Sequence, residues 1–314
     1  MRSTGLSSIL VAATVARAAV YNIADTFVGK SFLSGFDHIA IADPTHGRVN
    51  YVNQATAVSQ NLTYTDSDTL ILRADHQKVL SASGPGRNSV RIQSKKQYTT
   101  HVQVMNVRHM PQGCGTWPAY WTTNTANWPA GGEIDIIEGV NDQGPNAITL
   151  HTTAGCTQPG GRAMSGTPTQ ADCNWQVNGN AGCGVKSPTA NSYGPAFNNN
   201  GGGFYVTERT KTFIKVWFWP RGSANVPAGV KNGAASIDTS GWGQPTAVFV
   251  DNSCDFNSHF GPENIIINLT FCGDWAGGVY GNSGCPGSCV DYVNNNPAAF
   301  KNAYWDIASL RVYQ

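Results

Sequence analysis

The chain has 314 residues, of which 40% are hydrophobic and 12% charged, and its 20 basic side chains nearly balance 19 acidic ones. Disorder is excluded, because a disordered chain combines low hydrophobicity with high net charge, and a net charge of +1 gives no field that attracts a polyanion. We therefore expect neither nucleic acid nor a membrane surface as a partner, and a neutral partner fits better.

The first predicted element is a secretory signal peptide over residues 1–18. Arg2 supplies a positive start, residues 6–15 form a short apolar stretch, and Ala16-Arg17-Ala18 has the A-x-A cleavage pattern. A membrane anchor needs about 20 apolar residues, and this stretch is shorter. We expect a secreted, extracellular protein in which residues 19–314 form a single domain.

Beyond the leader, short apolar or alternating runs are separated by segments rich in Gly, Pro, Asn and Ser. Such runs predict β-strands, and a helical period is weakly suggested only over 297–303. Many short strands with turn-rich connections indicate an all-β sandwich or jelly roll. The predicted strands cover 69–73, 89–93, 101–107, 147–151, 213–219, 247–250, 264–271 and 307–313.

Three carboxylates, Glu133, Asp135 and Glu138, lie within six residues that are otherwise isoleucine. In a regular strand Glu133 and Asp135 share a face, whereas Glu138 points to the other face. A β-bulge at Ile136-Ile137 would return Glu138 to the first face. Neighbouring carboxylates repel, so at least one pKa should be raised.

This acidic strand predicts a chemical site more strongly than a solvated edge strand. The isoleucines indicate that its opposite face is buried, and a purely structural strand has no evident reason to collect acids. Two carboxyl groups about 5 Å apart on one face supply the nucleophile and the proton donor of retaining glycoside hydrolysis.

Tryptophans flank the acidic strand on both sides in the sequence. Trp121, Trp128 and Trp275 stand beside Thr, Asn and Gly, so we expect them to be exposed and to stack on sugar rings, which indole faces do well. Trp217 and Trp219 lie in an apolar strand, and at least one of them is expected in the core.

Two further polar residues are candidates for substrate binding. His151 ends the strand after the acids and is expected to bond Glu138 or a sugar hydroxyl, or else to be a satisfied sheet histidine. Arg91 alternates with apolar residues and would reach a sugar or cap the sheet.

The even number of cysteines behind a secretion signal predicts disulfides throughout. Metal binding is disfavoured, because there is no Cys-x2-Cys pair and the only nearby histidine is His259; we expect no metal at the site. The Gly- and Asn-rich segment 156–203 is predicted to be a stapled surface loop. Pairing stays open among Cys114, Cys156, Cys173, Cys183, Cys254, Cys272, Cys285 and Cys289.

Two Asn-x-Thr sequons begin at Asn61 and Asn268. Only an exposed sequon can carry a glycan. Asn268 lies inside an apolar run and is expected within a sheet, so glycosylation is predicted at Asn61.

The run Glu133-Ile-Asp-Ile-Ile-Glu138 resembles the signature of glycoside hydrolase family 16, in the bulged form of its laminarinases and related endo-β-1,3-glucanases. The resemblance is to secreted basidiomycete laminarinases and covers essentially the whole mature chain. Other matching stretches include Arg73-Ala-Asp-His76, Gly113 to Pro118, Ile137 to Asp142, Ile267 to Trp275 and Tyr304 to Ile307.

The resemblance implies a β-jelly-roll of two curved antiparallel sheets with the substrate cleft across the concave face. It implies that Glu133 is the nucleophile, that Glu138 is the general acid and base, and that Asp135 hydrogen-bonds the nucleophile. The positions that match glucose-binding positions of the family are Arg91, Trp121, Trp128 and Trp275.

The function expected from this resemblance is that of a retaining endo-β-1,3-glucanase, a monomer that also cleaves mixed-linkage β-1,3/1,4-glucan and requires no cofactor. Some family members hold a structural calcium through an Asp near the last strand. Asp306 stands there, but no further ligand can be identified, so calcium stays open. The alternatives are a glucan transglycosylase and a non-catalytic β-glucan-binding jelly roll.

Overall fold

The computed structural model describes residues 20–314, and the predicted signal peptide lies outside them. Two large antiparallel sheets pack face to face as a β-jelly-roll sandwich, which confirms the predicted fold class. The strands are β1 Val20–Phe27, β2 Phe36–His38, β3 Val49–Tyr51, β4 Thr63–Asp66, β5 Thr69–Arg73, β6 Arg87–Ser89, β7 Arg91–Tyr98, β8 His101–His109, β9 Thr116–Thr123, β10 Glu133–Glu138, β11 Ala147–His151, β12 Thr167–Pro168, β13 Cys183–Lys186, β14 Gly203–Arg209, β15 Phe213–Pro220, β16 Ser236–Asp238, β17 Ala247–Val250, β18 Glu263–Phe271 and β19 Tyr304–Tyr313.

The sheet that we call the front sheet has the strand order β12-β13-β11-β10-β9-β18-β7-β2 and contains the acidic strand. The back sheet has the order β16-β1-β19-β8-β14-β15-β17, with β5 also pairing with β19 and β4 pairing with β5. β3 and β6 form a separate parallel pair. The main core lies between the sheets and takes apolar side chains from both of them.

Helices are short, as the scarcity of helical periods predicted. They are α1 Ser31–Gly35, α2 Gln54–Ser59, α3 Gly194–Asn199, α4 Ala228–Asn232, α5 Phe256–His259 and α6 Cys289–Asn295. The suggested helical period near 297 is a 3-10 turn over Pro297–Phe300. Within residues 20–314, no helix is long and apolar enough to cross a membrane.

A second apolar cluster covers the outer face of the back sheet. Trp217 and Trp219 are both buried and stack nearly parallel, and Trp242 meets each of them edge-on. The tryptophans of β15 are therefore packing residues, as expected for at least one of them, although they pack outside the main core.

All eight cysteines form disulfides, as the even count predicted. The pairs are Cys114–Cys285, Cys156–Cys254, Cys173–Cys183 and Cys272–Cys289. Two of these bonds hold segment 156–203, so it is stapled as expected, and it also contains β12, β13 and α3.

Asp306, the position that raised the calcium question, is paired with an arginine. Asp306 lies on the back sheet, where its Oδ1 accepts a 2.9 Å hydrogen bond from Nε of Arg108. The same guanidinium also approaches Asp68, at 3.3 Å.

Candidate active site

The acidic strand β10 carries the predicted bulge. On one side Asp135 pairs with Trp121 and Ile137 with Tyr120, so an extra residue is inserted between them. Ile136 and Ile137 are both fully buried in the main core. The bulge therefore places Glu133, Asp135 and Glu138 on the outer face of the front sheet.

Asn146, in the turn after β10, fixes the bulge. Its side chain is fully buried and donates a 2.8 Å hydrogen bond to the carbonyl of Ile136, while its Oδ1 accepts a 2.9 Å bond from the amide of Glu138. These are backbone groups that the bulge removes from the strand ladder. The sequence did not predict Asn146, because a side chain that folds back on the preceding strand leaves no periodic signal.

Glu133 lies under an exposed tryptophan. The indole N–H of Trp128 donates to Glu133 Oε2, and Trp128 is 41% exposed, as expected. Burial raises the pKa of Glu133 to about 7, against the hydrogen bond from Trp128 and the charge of Arg91, which both lower it.

Glu138 has a matching partner that the sequence did not predict. The indole N–H of Trp117 donates a 2.9 Å hydrogen bond to Glu138 Oε1, and Trp275 packs edge-on against Trp117 at 5.6 Å between ring centroids. Burial raises the pKa of Glu138 to about 7, while Trp117 and His151 lower it. Strand alternation could have found Trp117, because residues 117, 119 and 121 share one face.

Asp135 is 2% exposed, and its Oδ2 has no hydrogen-bond partner within the described chain. The expected hydrogen bond to Glu133 is not among those of the described residues. Burial and the charges of Glu133, Glu138 and Glu263 raise the pKa of Asp135 well above its ordinary value. Burial and the neighbouring carboxylates thus favour the protonated form of Asp135, which lies between the two glutamates.

His151 does not bond Glu138, which was one of its expected partners. Its Nε2 lies 3.4 Å from Oδ2 of Asp135, and its Nδ1 lies 2.8 Å from Oδ1 of Asn180. The reason is register: His151 pairs with Glu133, at the opposite end of β10 from Glu138. Burial lowers the pKa of His151, so the ring is neutral at neutral pH.

Trp121 is not exposed, contrary to the expectation, since only 7% of it is accessible. The guanidinium of Arg91 lies over its ring at 5.0 Å from the centroid, and its N–H donates a 2.7 Å bond to Oδ1 of Asn268. Arg91 and Trp121 do lie on the same face as the acids. Trp275 is partly exposed.

The two glutamates have similar surroundings, and Arg91 distinguishes them. Each accepts one indole N–H and has a pKa raised to about 7 by burial. The charge of Arg91 lowers the pKa of Glu133, whereas His151 lowers that of Glu138 only when its ring is charged. With His151 neutral, the negative charge of the pair is favoured on Glu133 and the proton on Glu138. One ionised and one protonated carboxyl on one face suit a nucleophile and an acid.

Known proteins resemble this chain along most of its length. The profile of the XgeA-like catalytic domain of glycoside hydrolase family 16 matches residues 36–313. A probable endo-1,3(4)-β-glucanase of Aspergillus clavatus is 45% identical over 304 residues, which cover 94% of this chain and 46% of the relative. The chain thus spans about half the length of the curated Aspergillus and Emericella endo-1,3(4)-β-glucanases that it matches.

Two solved structures are similar over the same extent. Laminarinase 16A from Phanerochaete chrysosporium, with 6-O-glucosyl-laminaritriose in donor and acceptor sites, is 66% identical with a TM-score of 0.93, over 94% of this chain and all of that one. An elongating β-1,3-glucosyltransferase of family 16 is 39% identical with a TM-score of 0.88, over the same shares.

Proposed function

The chain belongs to glycoside hydrolase family 16, and from that premise we propose that it is a retaining endo-β-1,3-glucanase that also cleaves mixed-linkage β-1,3/1,4-glucan. The observation that carries the proposal is the bulged strand β10, which presents two half-buried glutamates on one face. A binding protein without activity would have no use for a pair of carboxyls with raised pKa values. The substrate is a β-glucan chain lying across the outer face of the front sheet.

In the first step a carboxylate oxygen of Glu133 attacks the anomeric carbon while Glu138 gives its proton to the departing glycosidic oxygen. The indole N–H of Trp128 and the charge of Arg91 keep Glu133 ionised for the attack. In the second step Glu138, now ionised, takes a proton from water, and the resulting hydroxide displaces Glu133 from the sugar. The anomeric configuration is inverted twice and so retained.

Stereochemistry tests this mechanism directly. An NMR time course on laminari-oligosaccharides should show the β anomer first, because two successive displacements at the anomeric carbon restore the β configuration. Appearance of the α anomer first would show a single displacement and would overturn the proposal.

Substitution of each glutamate tests the two roles. Glu133→Ser should abolish hydrolysis and keep oligosaccharide binding, because only the nucleophile is lost. Glu138→Ala should fail chiefly on natural glucans, because an activated aryl leaving group needs no proton. Equal losses of Glu138→Ala on both types of substrate would contradict the assignment.

The preference for β-1,3 linkages rests on where the accessible indoles come from. Trp128 follows β9, and Trp275 lies in the helical turn Gly273–Gly277 after β18, so the two belong to separate segments. Such platforms suit a curved β-1,3 chain better than a flat strip of stacked rings would. Laminarin should be cleaved rapidly, lichenan more slowly and carboxymethylcellulose not at all; comparable rates on carboxymethylcellulose would overturn this preference.

Transglycosylation is the second candidate, favoured by the similarity to the elongating β-1,3-glucosyltransferase. It shares the glycosyl-enzyme intermediate and differs in whether a sugar or water displaces Glu133. Incubation with laminaritetraose should separate the two, since hydrolysis gives only shorter products and transfer gives longer ones.

We further propose that the protein is secreted and monomeric and that it carries a glycan on Asn61. Asn61 is exposed at the end of α2.

A further inference from the structure

The hairpin between the disulfide-bonded Cys173 and Cys183 folds over the end of β11. Its start is tied to β11 by a 2.8 Å bond from the amide of Thr152 to the carbonyl of Cys173, and its end continues into β13, which pairs with β11. A Cβ atom at Gly182 would come within 2.8 Å of Cε1 of His151. The hairpin is therefore in close contact with the His151 ring.

The tip of the hairpin supplies a hydrogen-bond partner for that ring. Oδ1 of Asn180 lies 2.8 Å from Nδ1 of His151. An amide oxygen only accepts, so Nδ1 must carry the hydrogen, and a neutral imidazole then has a bare lone pair on Nε2. Nε2 lies 3.4 Å from Oδ2 of Asp135.

This tautomer of His151 favours the protonated form of Asp135. Its Oδ2 is buried and has no hydrogen-bond partner among the described residues, and it stands between Glu133 and Glu138 on β10. A protonated Asp135 can direct its O–H at the Nε2 lone pair, whereas the opposite tautomer would present a second hydrogen. The contact between Asn180 and His151 therefore favours a neutral Asp135.

We propose that Asn180, held at the tip of the Cys173–Cys183 hairpin, is a positioning residue that acts through His151 to keep the proton on Asp135. The inference rests on the proposed function for its catalytic consequence only. With Asp135 neutral, the negative charge at the site is confined to the two glutamates, and one of them can ionise while the other keeps its proton. A loop on the far side of β11 thereby sets the charge of a residue that it does not touch.

The tautomer can be measured on the free protein without any substrate. With ¹⁵N-labelled histidine, the imidazole signals of His151 should show a protonated Nδ1 and a bare Nε2. In Asn180→Ala they should move toward the Nε2–H form. The matched control is Asn178→Ala, because Asn178 lies in the same turn, also has a positive φ (52° against 60° for Asn180) and makes no side-chain hydrogen bond within residues 20–314.

The pH profile of kcat/KM on laminarin gives the second readout. In Asn180→Ala the Nε2–H form would donate to Asp135 and stabilise its carboxylate, and the added charge would raise the pKa of both glutamates. Both limbs of the profile should therefore move to higher pH, by about one unit. Asn180→Asp keeps a hydrogen-bond acceptor for the Nδ1–H group of His151 and favours the charged imidazolium. It should therefore move the alkaline limb to lower pH.

Three outcomes would overturn the inference: an Nε2–H tautomer in the native protein, an unchanged tautomer in Asn180→Ala, or a profile of that variant that is lower at every pH with both limbs in place. The last is what a purely structural loss would give. A native protein that leaves laminarin intact overturns the proposed function instead, and the tautomer measurement still decides the inference.

Discussion

At the scale of single residues, each proposed catalytic glutamate accepts one indole N–H, from Trp128 on Glu133 and from Trp117 on Glu138. A donor to a carboxylate stabilises its ionised form and lowers its pKa. Hydrolysis needs Glu133 ionised and Glu138 protonated, so the acidic limb of the activity profile belongs to the first and the alkaline limb to the second.

Trp117→Phe keeps an aromatic ring against Trp275 and removes only the N–H. The pKa of Glu138 should rise, because its ionised form loses a hydrogen bond. The alkaline limb of kcat/KM should then move to higher pH by about one unit, with the acidic limb fixed. A shift of the acidic limb instead would exchange the roles of the two glutamates.

Trp128→Phe is the counterpart at the nucleophile. Losing this N–H should raise the pKa of Glu133, so the acidic limb should move to higher pH while the alkaline limb stays. The two variants are to be measured in one buffer series, and identical profiles would contradict the assignment of one indole to each glutamate.

Which side chains share a face can be predicted from sequence, and their partners only in part. The alternation of β10 with one inserted residue is enough to predict that the three acids lie on one face. Asn146 and Asn180 could not be predicted, since each reaches the site from a turn whose path depends on tertiary packing. The burial of Trp121 was missed because its cover, Arg91, comes from β7, two strands away.

At the scale of strands, the predicted bounds of β5, β11 and β17 agree with the structure. The predicted strand 89–93 is divided at Val90, because β6 pairs in parallel with β3 while β7 joins the front sheet beside β18. Two strands with different partners can follow each other in one apolar run, and periodicity alone does not show the change.

The bulge of β10 should depend on Asn146. Asn146→Ala leaves the amide of Glu138 and the carbonyl of Ile136 without partners in a buried turn, which should cost about 3 kcal/mol of unfolding free energy. Displacing Glu138 by a fraction of its side-chain length should also lower kcat on the order of a hundredfold. Chemical denaturation and laminarin kinetics measure the two effects.

Asn88→Ala is the control for that variant. Asn88 accepts a 2.7 Å bond from Asn50 and donates one to Gln60, away from the acidic strand. It should lower stability and leave kcat within about twofold of the native value. A comparable loss of kcat in both variants would show that Asn146 acts through general stability and has no specific role in the bulge.

At the scale of the whole molecule, the buried acids make the fold less stable as pH rises. The pKa of Glu138 is about 7 in the folded protein against 4.5 for a free side chain, so folding is favoured while the group is protonated. This contribution is fully present below pH 4.5 and is lost as pH rises through 7. The buried His101, whose pKa is lowered to about 4, acts in the opposite direction.

Glu138→Gln removes the acid and isolates its contribution. The variant should equal the native protein in stability near pH 4.5 and exceed it by about 3 kcal/mol at pH 8, since each pKa unit corresponds to about 1.36 kcal/mol. Thermal unfolding across this range measures the difference. A difference that stays flat across this pH range would refute the prediction.

The second sequon has a consequence for how the chain is made. Asn268 accepts a hydrogen bond from Trp121 and donates one to Tyr51. Thr270 lies on the same face of β18 and donates a 2.6 Å hydrogen bond to Asp43. Asn268 and Thr270, which both have structural roles, thus form the Asn-x-Thr sequon that oligosaccharyltransferase recognises on a nascent chain. If the protein is secreted as proposed, β18 must fold before a glycan is transferred to it, because a sugar on Asn268 would prevent the front sheet from forming. We expect expression in a glycosylating host to yield a fraction of misfolded chains that carry a glycan on Asn268. Thr270→Ser should reduce that fraction, because it keeps the hydroxyl but makes a poorer glycosylation sequon.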